Sequence, residues 1–224
     1  MTTWRALLGL SASLEGVLLA TLLTRKAWRI STLFPVYIAA VLLPDAAFSI
    51  EPRLFTWNAW LAKETIQAGL KLGLALELTT KVFAGLPRAR RIADGALVLL
   101  VVGAQALVAV SWAGADPELI AKRSLPLVND ATSLAFCTIL ALATWYAIPV
   151  HVLHRAILQG LAPFLLVFSL ALHALEAWGW SARLGSLAGL AYDLLVTYWI
   201  VAALAPPQAI PAAVPTIRRL RPWA

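Results

Sequence analysis

Residues 31–50 read STLFPVYIAAVLLPDAAFSI, and one side chain in that run, Asp45, carries a formal charge. About 20 predominantly apolar residues in a helix cross a hydrocarbon core of about 30 Å, so this stretch has the length and composition of a membrane span. Its apolar residues run continuously instead of alternating, which argues against a barrel strand. A helix satisfies every backbone group internally, as a lipid environment demands. Six further segments repeat the pattern, at about 4–23, 55–80, 92–113, 124–147, 156–177 and 186–205. The sequence therefore predicts an all-α bundle of seven transmembrane helices.

The whole-chain composition agrees. The chain has 224 residues, of which 61% are hydrophobic and 13% charged, with a mean hydropathy of +0.82. Soluble domains sit near 45–50% apolar and about 25% charged. No interior of this size could hide such a surplus, so lipid has to be part of the solvent. Glu15 interrupts the first apolar run, and no small-residue cleavage site precedes Arg25 and Lys26, so residues 4–23 are expected to remain as a helix. The expected division is a membrane domain over 1–205 and a proline-rich basic tail over 206–224. One cysteine, Cys137, excludes an intramolecular disulfide.

Orientation follows from basic residues in the short loops. Arg25, Lys26 and Arg29, then Lys81, Arg88, Arg90 and Arg91, then Arg155, then Arg218, Arg219 and Arg221 place eleven on one side. The other side holds five: Arg5, Arg53, Lys122, Arg123 and Arg183. The expected arrangement has the N-terminus outside and the C-terminus in the cytoplasm of a bacterial inner membrane. The net charge of +7 is thereby mostly topology, and no nucleic-acid partner is expected. Trp4, Trp57, Trp60, Trp112, Trp178 and Trp180 fall at outer helix ends, and Trp28 and Trp145 at inner ones, as an interfacial aromatic belt would. The basic tail, with Trp223, suits an anionic leaflet.

Motifs for chemistry are sparse. The sequence contains no phosphate loop, no zinc-protease motif, no Cys-x-x-Cys and no nucleophile elbow, so neither catalytic residues nor a cofactor is expected. The last apolar segment lacks a lysine, which speaks against a retinal pump. His151 and His154 have helical spacing but no evident third ligand, so an interfacial, solvated pair is expected rather than a metal site.

Ionisable residues at membrane depth carry more information, because they are costly and generally face the bundle interior. Asp45, Glu64, Asp130 with Asn129, His173, Glu176, Tyr192 and Asp193 all fall in the expected outer half, and Glu15 near mid-depth. Glu64, Gln67 and Lys71 lie within about 60° of one another at 100° per residue, a single polar stripe. Pro44 is expected to loosen its helix beside Asp45. The candidate ligand-binding set is Asp45, Glu64, Lys71, Asp130, His173, Glu176, Tyr192 and Asp193. At least three of the five carboxylates Asp45, Glu64, Asp130, Glu176 and Asp193 are expected in one cavity. The competing expectation is that these groups pair across helices and fix their register.

Three stretches carry a resemblance to a group of uncharacterised bacterial seven-helix proteins. They are Glu77 to Phe83 (ELTTKVF) with the basic exit Leu86 to Arg91, Tyr146 to Pro149 (YAIP) with Arg155 and Gly160, and Tyr198-Trp199-Ile200 leading to Pro206-Pro207. Where that group often has a glycine seven residues after the proline, this chain has Ala156. More distantly the layout resembles the seven-helix input modules of bacterial histidine kinases, though no kinase or other output domain follows here. The resemblance implies topology and little chemistry. The expected function is a non-enzymatic small-ligand binding or sensory module, with the bilayer and a membrane-protein partner as its contacts. The alternative is an accessory subunit of a larger photosynthetic or respiratory complex, with transport third.

Overall fold

The computed structural model describes residues 2–86, 90–95, 97–99, 102–103, 117–178 and 182–206, and among these only helices, turns and short connections occur. The helices are α1 (Thr2–Thr24), α2 (Leu33–Ile50), α3 (Trp57–Val82), α4 (the helical residues within 90–103), α5 (Pro117–Trp145), α6 (Val152–Trp178) and α7 (Ala182–Leu204). Most of the segment expected at 92–113, together with Trp112, Trp180 and the tail beyond 206, lies outside the described residues.

Five helices are long and apolar enough to cross a membrane, at Leu7–Thr24, Leu33–Ile50, Ser124–Trp145, Val152–Ala174 and Gly185–Leu204. The all-α membrane bundle is therefore present. α3 departs from the apolar pattern because it carries Lys63, Glu64, Lys71, Glu77 and Lys81. Its charged stripe turns inward: Gln67 and Lys71 are buried, while Ile66 on the opposite face is exposed.

Each helix end has a local cause. Pro52 follows the last residues of α2, where a preceding residue is driven out of helical geometry. The Thr56 hydroxyl accepts from the Ala59 amide at 3.2 Å and starts α3. α5 ends in a turn closed by Ile148 N–H to the Ala143 carbonyl at 2.9 Å, with Ala147 at φ 47° and Pro149 after it. Pro44, Pro126 and Pro163 sit inside helices that continue through them, as neighbouring helices in a membrane bundle permit.

The packing order is a closed ring. α1 meets α2, α2 meets α3, α3 meets α5, α5 meets α6, α6 meets α7, and α7 returns to α1. α4 contributes Ala93 and Leu97 to the core. Trp199 is the largest fully buried side chain: its ring meets Phe34 edge-on at 5.1 Å, and its indole N–H donates to the Ala156 carbonyl at 3.1 Å. By contrast Trp145 and Trp178 are 84% and 81% exposed at opposite ends of the bundle, where an aromatic belt places them.

One end is tied by Glu77. Its carboxylate accepts from the backbone amides of Thr32 at 2.8 Å and Leu33 at 2.9 Å, and from the Ser31 hydroxyl at 3.2 Å. Thr32 provides no side-chain cap for α2, so a residue from α3 performs that function. Lys81 pairs with Glu77 at 2.6 Å and also donates to the Ile30 carbonyl. His154 joins the same carbonyl at 3.1 Å and is buried, which corrects the expectation of a solvated histidine pair. His151 instead accepts from the Leu153 amide at 3.1 Å, with the two rings 5.8 Å apart.

Candidate ligand cavity

At the other end, where α1, α3 and α7 begin and α2 and α6 finish, the ring encloses a cavity of about 270 Å³. That is near the lower end of the range of about 300–1,000 Å³ seen for small-molecule sites. α1 contributes Leu8 and Ser11, and α2 contributes Tyr37, Val41 and Asp45. α3 supplies Trp60, Lys63, Glu64, Gln67 and Lys71, so the polar stripe read from sequence forms one wall. α6 and α7 face it with Phe164, Phe168, Leu172, Gly185, Ala188, Gly189 and Tyr192. The cavity thus has one polar wall and one apolar, largely aromatic wall, with two glycines holding the second wall back.

The polar groups are not equally committed. Asp45 is buried and ion-paired with Lys63 across the α2–α3 contact. Lys71 is 5% exposed, and its ammonium lies 5.5 Å from the centre of the Phe168 ring. Gln67 is 6% exposed and its amide nitrogen has no partner among the described residues. The Tyr192 hydroxyl faces the Glu15 carboxyl, and its ring leans on Phe164 at 5.5 Å. Just behind the cavity, Glu15 is fully buried beside the Tyr192 hydroxyl, and its charged neighbours are Asp45, Lys63 and Asp193. The inward turn expected of a mid-depth carboxyl is what Glu15 shows.

Of the candidate residues, the structure brings Asp45, Glu64, Lys71 and Tyr192 to the cavity. Asp193 stands behind it, where one carboxylate oxygen accepts from Ser11 at 2.6 Å and the other is unpartnered. Asp130 and His173 are elsewhere. They meet at 2.9 Å on the α5–α6 seam, where Ser169 also donates to Asp130, and both are partly exposed. The side chain of Glu176 lies outside those described. Among the described side chains two of the five carboxylates, Asp45 and Glu64, line the cavity, while Asp130 and Asp193 do not. α5 packs between α3 and α6: its Asp130 meets α6, while Asn129 and Thr132 line a small recess beside Glu64 and Lys71 of α3. The Asn129 amide also donates to the Leu165 carbonyl at 3.2 Å.

Sequence reading missed Lys63, Trp60, Phe164, Phe168 and the α7 glycines. Gly185 and Gly189 stand four apart on a membrane helix, a spacing that flags a close approach or an open groove. The aromatic residues of α6 carried no usable signal, being indistinguishable from ordinary lipid-facing or core positions. Among the described residues no group of three His, Cys, Asp or Glu side chains is placed to hold a metal ion. The chain matches no family model, no curated protein and no solved structure.

Proposed function

We propose that the chain is a non-enzymatic seven-helix membrane module that binds a small ligand in this cavity and relays its presence to a membrane partner. The observation that carries this reading is the cavity itself. Five helices from distant parts of the sequence converge on it, and a buried polar group on its wall, the Gln67 amide nitrogen, has no partner among the described residues. Buried polar groups are ordinarily satisfied, so those left over on a cavity wall point to something that enters. In this reading α3 and the α4 region complete the seven spans, the N-terminus and the cavity mouth face outside, and the C-terminus is cytoplasmic in a bacterial inner membrane. The kinship is with the uncharacterised bacterial seven-helix group.

A ligand that binds the native state raises its unfolding temperature. A compound screen on the protein in lipid nanodiscs should find molecules that stabilise the native chain but not Gly189→Leu. A Cβ at Gly189 meets no atom within 4 Å, so the longer side chain fills the cavity without disturbing the backbone. If every stabilising compound acts equally on both proteins, the cavity is not a ligand site.

A second reading, an accessory subunit of a photosynthetic or respiratory complex, is favoured by the pairing of carboxylates across helices. Asp45 with Lys63, Asp193 with Ser11, and Asp130 with Ser169 and His173 each tie two helices together. Mild solubilisation of native membranes separates the readings, since a subunit would migrate in a larger stoichiometric assembly.

A further inference from the structure

We infer that the cavity takes a flat, uncharged ring bearing carbonyl oxygens, a quinone-type compound, with an oxygen seated on Lys71 and Gln67. This rests on the ligand-binding reading and names the chemistry of the ligand. Three observations support it.

Lys71 and Gln67 lie one helical turn apart on α3, both more than nine-tenths buried and both on the cavity wall. Neither the Lys71 ammonium nor the Gln67 amide nitrogen donates a hydrogen bond to a described residue. Two unspent donors on one face call for an acceptor, and an ammonium ligand would leave both unsatisfied.

The charge around them disfavours an anion. The cavity wall holds two carboxylates, Asp45 and Glu64, and two ammonium groups, Lys63 and Lys71. Lys63 is taken by Asp45, and Glu64 is within electrostatic range of Lys71. With each ammonium matched by a wall carboxylate, an added carboxylate would find no surplus positive charge to offset its desolvation, whereas a carbonyl oxygen accepts the same hydrogen bonds without bringing a charge.

The opposite wall sets the shape. Phe164 and Phe168 stack at 5.9 Å with 12° between their planes, and Gly189, where a Cβ would meet no atom within 4 Å, leaves open space across from α3. An apolar wall of parallel aromatic rings with open space beside it accommodates a planar ring and gains stacking from it. An uncharged ring also partitions into the bilayer around the bundle.

Three ring-matched probes decide the matter: dimethylnaphthoquinone, naphthoate and naphthylmethylammonium. The methyl groups block addition of the Cys137 thiol to the quinone ring. Equilibrium binding to the protein in nanodiscs, with empty nanodiscs as baseline, should give saturable binding of the quinone at one per chain. Gln67→Leu and Lys71→Met should each weaken it about tenfold, and Gly189→Leu should abolish it. Thermal unfolding of each variant confirms that it is folded, and the glycine and glutamine variants stand if the lysine variant is not. Tighter binding of naphthoate or the ammonium, lost in Gly189→Leu, would overturn the quinone class while leaving the cavity a ligand site. Quinone binding unchanged in Gly189→Leu and Gln67→Leu, or saturable binding of none of the probes, also overturns it.

Discussion

Gly160 shows how one residue can set a helix contact. A Cβ built there would sit 2.8 Å from the Trp199 indole nitrogen and closer still to Leu195, so α6 and α7 approach across a position with no side chain. Trp199 and Leu195 are both buried, and the indole is fixed by its bond to Ala156, so neither can yield cheaply. Gly160→Ala is expected to destabilise the bundle by about 1–3 kcal/mol, the usual cost of overpacking. Thermal unfolding in nanodiscs measures it, and an unchanged midpoint would mean that the two helices are free to part. Ala147 is the opposite case. It holds φ 47° in the turn after α5, where an L side chain is strained and glycine is not. Ala147→Gly should raise stability by about 0.5–1 kcal/mol in the same assay. Neither residue announces this in the sequence: Gly160 looks like any membrane-helix glycine, and YAIP gives away the turn through Pro149 but not the strain at Ala147.

The elements were the most legible level, because an apolar run of membrane length leaves few alternatives. Residues 31–50 became Leu33–Ile50 and residues 55–80 became Trp57–Val82. The α3 stripe of Glu64, Gln67 and Lys71 was readable from its angular spacing and does line the cavity. What spacing could not provide was the neighbour each stripe meets. The Asp130 face of α5 was equally polar, but ring order gave it to α6. Glu77 makes the same point at the other end. Its sequence position suggested only an isolated inner carboxyl, whereas it caps the start of a different helix. Glu77→Ala strips two amides of α2 of their acceptor and Lys81 of its partner, and should cost about 1–3 kcal/mol. Glu77→Gln keeps an acceptor oxygen and should lose less. Equal losses from the two substitutions would show that the charge, rather than the cap, stabilises this end.

For the whole molecule, the cavity's location gives the topology its functional meaning. Its polar wall gathers at the end shared by the start of α1, the α2–α3 connection and the start of α7. The basic side chains Arg25, Lys26, Arg29 and Lys81 gather at the other end, around the Glu77 tie. Positive residues mark the cytoplasmic side, and the orientation we propose on that ground has the cavity toward the outside and the Glu77 tie toward the cytoplasm. The seven spans of the proposed bundle require opposite locations for the two termini. A reporter enzyme active only in the cytoplasm should be active when fused at Ala224 and silent when inserted at Asp116, and a reporter active only outside should give the reverse. Activity of the cytoplasmic reporter at both sites would remove one span from the proposed bundle. Reversal of both signals would keep seven spans but turn the cavity to the cytoplasm, and a ligand would then have to arrive from within the cell.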